Sequence, residues 1–420
     1  MKHNEIAIYS TAFARDFIDY LVKNNHTSHL DSFMAQFIIG SLSNYWGGRD
    51  RSGLIEKDNP IKFNYTPIPE NVYTDMTLRE VSLERAQWYW DNKPSDEPLY
   101  LMWSGGIDST LAATALMETN SNWDKDMIFI LAESSITEYE WFFKKYLEPK
   151  PHCYEIVDGA FLFDDGLFSK GKYIISGKPA DQLFGGWMFN RVYAWEPWTD
   201  IFDESKPGLR LRFNQPRLGG GGRGGVHDEG TDYEPPIDRY DSGAIRYSND
   251  VIESMYISAN TRGEYINDLC LDYINTLVSK CPIKIERVFD FYWWMTFCFT
   301  WDGADRKIAM KFDDPLLYKN MSGFYNSDNF QRWGISHHYE SIKDTWESYK
   351  YPLKEAIYEY TKDKDYLDNK EKEPSLPLAV PGQTLKEILS QTKYKMIDTN
   401  DNVFHMERIP EGVFKSVMRL

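Results

Sequence analysis

Cysteine is scarce in this 420-residue chain, and the four present, Cys153, Cys270, Cys281 and Cys298, stand far apart with no Cys-x-x-Cys pair. That spacing supports neither a zinc ribbon nor a disulfide framework, so a reducing, cytoplasmic setting is expected. Apolar runs near the roughly 20 residues needed to cross a bilayer are missing, as is a basic stretch leading into an apolar one at the start. The expectation is a soluble, unexported protein with no membrane partner. Positive charge is also in deficit: 47 Lys and Arg face 64 Asp and Glu, a net charge of -17. This balance opposes general attraction to a nucleic-acid backbone and favours small or specifically docked substrates. No Gly-x-Ser-x-Gly occurs, and the commoner phosphate loop, two glycines five apart followed by Lys-Ser or Lys-Thr, is absent. Hydrolysis at a γ-phosphate is therefore not implied.

What the chain does contain is Ser104-Gly105-Gly106-Ile107-Asp108-Ser109-Thr110, directly after the apolar run Leu99 to Trp103 and before Leu111-Ala112-Ala113-Thr114-Ala115-Leu116-Met117. The pattern predicts a strand, a tight loop and a helix. Glycines let backbone approach a ligand, Ser104 and Ser109 offer hydroxyl donors, and the helix start adds unpaired N–H groups and a positive dipole end. Phosphate suits such a cradle. An aspartate facing phosphates needs a divalent cation between them, so Asp108 reads as a Mg²⁺ ligand.

Around this loop the expected organisation is a region of unreadable role over 1–95, a region over 96–375 that contains the loop and an extension over 376–420. The first contains helix-like stretches from Phe13 to Val22 and from Thr77 to Trp90, the latter opened by Thr77 and Glu80 at capping-box spacing. From about 96 to 190 the pattern alternates as in a doubly wound parallel α/β sheet, with strands at Leu99 to Trp103, Met127 to Ala132, Cys153 to Val157 and Lys172 to Ser176. Thr137 and Glu140 read as a second capping box opening a helix to about Leu147. Between about 208 and 230, Arg210, Arg212 and Arg217 precede Gly219 to Gly225, too glycine-rich for a regular element. A mobile basic loop able to meet an anion is expected there. From about 248 to 375 helical patterns dominate, at Arg262 to Val278, Arg287 to Phe299 and Leu353 to Thr361. His337-His338 has no partner at metal-ligand spacing and reads as core or surface.

Ser-Gly-Gly-x-Asp-Ser resembles the pyrophosphate loop of the N-type ATP pyrophosphatases. A second run, Ser176-Gly177-Lys178-Pro179-Ala180-Asp181-Gln182-Leu183-Phe184-Gly185-Gly186, follows another apolar segment. It resembles the Ser-Gly-x-x-x-Asp-x-x-x-Gly-Gly of the synthetase domain of asparagine synthetase, shared with β-lactam synthetase and the lasso-peptide cyclases. Ala304 to Met310, Gly323-Phe324-Tyr325-Asn326, Lys350 to Lys354 and Lys370 to Glu373 are similar to that family's later segments, in order. The resemblance spans about 98 to 375. It implies the adenine nucleotide alpha-hydrolase fold with a mainly helical second half, ATP and Mg²⁺ as cofactors, and cleavage of ATP to AMP and pyrophosphate. Ser104, Gly105, Gly106, Asp108, Ser109, Ser176 and Gly177 would bind nucleotide, and Asp108 and Asp181 the metal. Lys350 and Lys372 would meet phosphate and the transition state; Lys178, a departure from the family's pattern, would pair with a substrate carboxylate or phosphate or bind the nucleotide itself.

The implied reaction adenylates a small-molecule carboxylate and passes it to ammonia or an amine. The chain opens Met-Lys-His with no nearby cysteine, unlike the glutamine-cleaving domain of amidotransferases, so free ammonia or an amine is the expected donor. Lys178 and Gln182 stand where asparagine synthetase has glutamates, which turns the expectation away from aspartate as substrate. Lys354 for Arg and Asn326 for Asp are smaller departures. A nucleotide- or RNA-modifying enzyme that adenylates a base carbonyl is the alternative, supported by the Arg-Gly loop and opposed by the net charge. A non-catalytic ATP-binding relative is the third reading.

Overall fold

A computed structural model of the chain describes residues 17, 20–26, 28–33, 35, 50–54, 66–94, 96–157, 173–185, 263–301, 321–341, 350–370, 394–397 and 403–406. The chain divides into two compact units, one of Met1–Pro67, Asn190–Gly303 and Gly382–Leu420, the other of Ile68–Phe189 and Ala304–Pro381. Among the described residues no helix is long and apolar enough to cross a membrane.

The second unit is built on a five-stranded, all-parallel sheet. Its strands are β1 (Leu99–Met102), β2 (Met127–Leu131), β3 (Tyr154–Ile156), β4 (Ile174–Ser176) and β5 (Met321–Gly323), in spatial order β3-β2-β1-β4-β5. All four residues of β1 are buried, as are four of the five in β2. A parallel sheet covered on both faces requires such continuous apolar runs, because neither side of the strand meets water. β1 pairs Leu99 to Met102 with Met127 to Ile130 on one side, and Tyr100 and Leu101 with Ile174 and Ile175 on the other. The sheet and its helices are compatible with a doubly wound fold.

Helix α1 (Leu78–Asn92) starts at the expected capping box. The Thr77 hydroxyl accepts the Glu80 N–H at 3.2 Å and the Glu80 carboxylate accepts the Thr77 N–H at 2.8 Å. α1 packs on α2 (Ile107–Thr119), the helix that follows the first glycine loop. Trp90 on α1 donates its indole N–H to the Leu116 carbonyl at 3.2 Å and to the Thr119 hydroxyl at 3.0 Å. α8 (Tyr351–Thr361) also packs on α2 and leads into α9 (Lys364–Asn369).

Two readings of the sequence differ from this structure. The expected helix to about Leu147 is present, as Glu140–Phe142 continued by Phe143–Leu147, but no capping box at Thr137 opens it. Thr137 belongs to a separate short helix before it, α3 (Glu133–Glu138). Thr137 lies inside α3 and its hydroxyl donates back to the Glu133 carbonyl at 3.2 Å, while Ser135 caps the start by accepting the Ala132 N–H at 3.2 Å. Local hydrogen bonding of a Thr one turn back competes with a capping role. The fifth strand, Met321–Gly323, carries no strand signal in its three residues, and its pairing with β4 defines it.

Between α3 and the last helices of this unit lie α4 (Ala180–Phe184), α5 (Gly263–Ser279), α6 (Val288–Phe299) and α7 (Asp328–Ser336). α5 and α6 belong to the first unit, where Trp294 donates to the Leu277 carbonyl at 3.0 Å. There the Arg51 guanidinium stacks 4.7 Å from the Phe297 ring centre and 4.3 Å from that of Trp301. That unit also holds an antiparallel pair, β6 (Tyr394–Ile397) and β7 (Val403–Met406).

Candidate active site

The first glycine loop leaves the carboxyl end of β1 and closes on itself. The Ser104 N–H donates to the Ser109 hydroxyl at 3.0 Å, the two serine hydroxyls are 3.0 Å apart, and the Gly106 N–H donates to Ser104 Oγ at 3.3 Å. Gly105 takes φ +78°, where a β-carbon would collide with the Ser135 carbonyl oxygen of α3. Only glycine fits there. Asp108 stands in the first turn of α2, whose N-terminal amides and dipole face the same end.

The second loop leaves β4, the strand next to β1. At Gly177 the two loops touch: a β-carbon would lie 3.2 Å from the Ser109 nitrogen and 3.4 Å from the Asp108 carbonyl carbon. After the cis Lys178–Pro179 bond, α4 carries Asp181 in its first turn. Ser176, buried at the end of β4, accepts the Phe324 N–H at 2.8 Å.

Lys350 joins these loops. Its ammonium lies 2.6 and 2.7 Å from the two Asp108 carboxylate oxygens and 2.8 Å from Asp181 Oδ1. The lysine side chain is 1% exposed, against 24% and 25% for the aspartates. Burial works against the charged ammonium, but the Asp108 and Asp181 carboxylates outweigh it and hold its pKa above the usual lysine value. Lys350 caps α8 in the left-handed region at φ 50°, ψ 34°, a conformation costing a non-glycine residue about 1 kcal/mol. Three short contacts from its side chain offset that.

The two carboxylates converge on one cation-sized volume, which the Lys350 ammonium fills in this structure; with that ammonium displaced they would offer the hard oxygen donors that suit Mg²⁺. Among the described residues no group of three or more His, Cys, Asp or Glu side chains could hold a metal. The other Mg²⁺ ligands would then be phosphate oxygens and water, as is usual where Mg²⁺ is held by one or two carboxylates together with a nucleotide. Comparison of the chain with known protein families, curated proteins and solved structures found no match.

The structure thus brings together Ser104, Gly105, Gly106, Asp108, Ser109, Ser176, Gly177, Asp181 and Lys350. Lys178 is half-buried beside them and forms no ion pair among the described residues, while Gln182 is buried. Lys372, Gly186, the Arg210 to Gly225 loop and Ala304 to Met310 lie outside the described residues. Lys354 is buried and donates to the Lys370 carbonyl at 3.1 Å. The His337 ring stacks on Trp333 at 5.0 Å, and His338 is buried.

Four further side chains contribute. Glu138, at the end of α3, places Oε1 3.3 Å from the β-carbon position of Gly106 and 3.3 Å from the Lys370 ammonium. Tyr325 donates its hydroxyl to the Asp108 carbonyl at 2.7 Å. From α1, Arg85 donates to the Phe324 carbonyl at 3.1 Å and Tyr89 to the Gly323 carbonyl at 3.1 Å, which hold the end of β5. Tyr325 falls in the Gly323 to Asn326 segment noted in the sequence, though with no role attached to it, while Glu138, Arg85 and Tyr89 follow no spacing rule that would single them out.

Proposed function

We propose that this chain is an ATP-dependent, AMP- and pyrophosphate-forming ligase, which adenylates a small-molecule carboxylate and transfers the acyl group to ammonia or an amine. The observation that carries the reading is the convergence of Asp108 and Asp181, from two glycine loops at neighbouring parallel strand ends, on the Lys350 ammonium. The ordered resemblance of both loops to the asparagine synthetase synthetase domain supports the same fold type, the adenine nucleotide alpha-hydrolase sheet.

Bound Mg²⁺ and ATP would supply an electrophilic phosphorus and a pyrophosphate leaving group. The α2 N-terminus and the Ser104 to Ser109 loop offer N–H and hydroxyl donors to phosphate oxygens. Asp108 and Asp181 would hold the metal against those oxygens. Lys350, which bridges the two aspartates in this structure, would give way to the metal and turn its positive charge toward the phosphate oxygens where negative charge collects, and Lys372 would act likewise. Lys178 and Gln182 in place of acidic residues favour an acyl substrate other than aspartate.

Incubation of the purified protein with ATP, Mg²⁺, ammonium or an amine panel, and ¹⁸O-labelled carboxylates tests the reading. AMP carrying one ¹⁸O, with pyrophosphate, is the expected product pair; ADP and orthophosphate would overturn it.

A further inference from the structure

Tyr325 touches both glycine loops at once. Its backbone N–H donates to the Lys178 carbonyl at 3.1 Å, and its hydroxyl donates to the Asp108 carbonyl at 2.7 Å. The ring between these two bonds is fully buried. It meets Phe184, the last residue of the helix that carries Asp181, edge-on at 5.6 Å and 82°, and Phe330 of α7 at 4.9 Å.

The residue is itself held on the sheet. The neighbouring Phe324 N–H donates to Ser176 at the end of β4, and its carbonyl accepts from Arg85 of α1. Tyr325 is therefore a post anchored to β4, β5 and α1, with one hydrogen bond reaching each loop. The hydroxyl bond is made to the Asp108 carbonyl oxygen, two covalent bonds from the Cα that bears its side chain. On the other side, the ring contact with Phe184 backs the short helix from which Asp181 projects.

We propose that Tyr325 is a positioning residue that sets the separation of the Asp108 and Asp181 carboxylates, and so the size of cation they accept together with nucleotide. This rests on the reading above that the two aspartates hold a divalent metal, which would take the place of the Lys350 ammonium between them. Mg²⁺ needs near-ideal octahedral geometry at short distances, whereas Ca²⁺ accepts longer and more irregular ones. A site whose spacing is held by a clamp favours the smaller ion, and one whose clamp is released loses that preference.

The test is isothermal titration of Mg²⁺ and of Ca²⁺ into the wild-type protein and Tyr325→Phe, each saturated with α,β-methylene-ATP. Removal of the hydroxyl should weaken Mg²⁺ binding about tenfold while Ca²⁺ binding changes much less. Affinity for the nucleotide without metal should stay as in wild type. A merely structural bond would weaken both ions alike, and that result, or unchanged Mg²⁺ affinity, would overturn the role. Tyr325→Leu gives a second hydroxyl-free side chain, expected to show the same loss of ion preference. If neither variant folds, the hydroxyl serves the fold and the proposal fails. A wild-type protein with no nucleotide-dependent divalent site would sink the functional reading, and this role with it, whereas an intact wild-type site with an unaltered Tyr325→Phe sinks only the role of Tyr325.

Discussion

The Lys350 ammonium sits 2.6 Å from Asp108 Oδ1 across a sequence separation of 242 residues, and its third short contact, to Asp181, spans 169. Two carboxylates held this close would repel each other. One buried cation between them makes the arrangement tenable, and the same charge lies beside the loop that would hold phosphate.

Lys350→Met should therefore leave two partly desolvated carboxylates facing each other. Their exposure of about a quarter lessens the penalty, so the expected loss is about 2 kcal/mol, below that of a fully buried pair. Urea unfolding at pH 7 measures it. AMP formation should fall about 100-fold in the folded variant, the scale of removing one fixed charge from a developing oxyanion. A variant with wild-type turnover would remove Lys350 from the catalytic set.

Stability should decline at alkaline pH. Lys350 is held above its usual pKa; burial raises the Cys153 thiol to about 11 and the Cys281 thiol to about 12, and pushes Tyr89 and Tyr366 upward. Each group binds its proton more tightly folded than unfolded, so unfolding releases protons and stability falls as pH rises. The contribution is complete below the unfolded values, roughly 8.5 for Cys and 10 for Tyr and Lys, and is lost progressively as pH rises from there through the folded ones. Melting temperatures from pH 7 to 11 should hold nearly level and then drop; a rise above pH 9 would contradict the assignment.

Lys370 and Glu138 should act as a unit. Glu138 lies against Gly106, where an uncompensated carboxylate would repel a phosphate chain, and the Lys370 ammonium 3.3 Å away offsets it. Lys370→Ala should weaken ATP binding about tenfold, roughly 1.4 kcal/mol. Adding Glu138→Gln should recover most of that loss, since the repelling charge goes too. Fluorescence titration with ATP reads both, and additive losses in the double variant would show that the pair is not coupled.

Much of the five-stranded parallel sheet is legible in the residues themselves. Leu99 to Met102 and Met127 to Leu131 are unbroken apolar runs because both sheet faces are covered, and Thr77 with Glu80 announces α1 through bonds only three residues apart. Asp108 and Asp181 are visible because each follows glycines at a strand end. β5 and the separate short helix α3 are not: three residues of Met-Ser-Gly hold no period, and Thr137, spaced like a cap for the helix that reaches Leu147, turns its hydroxyl back on α3.

What the sequence by itself determined are local matters, namely the capping box, the apolar strands, and a loop at Gly105 whose positive φ suits glycine alone. The tertiary structure alone decided that Lys350, far along the chain, lies between two aspartates, that Tyr325 bonds to Asp108, and that Glu138 rests on Gly106 with Lys370 beside it. The physical reason is range. Capping, periodicity and turn chemistry act within a few residues and leave a pattern in the chain, whereas charge pairing and close packing depend on which strands become neighbours, here β1 beside β4 and β4 beside β5.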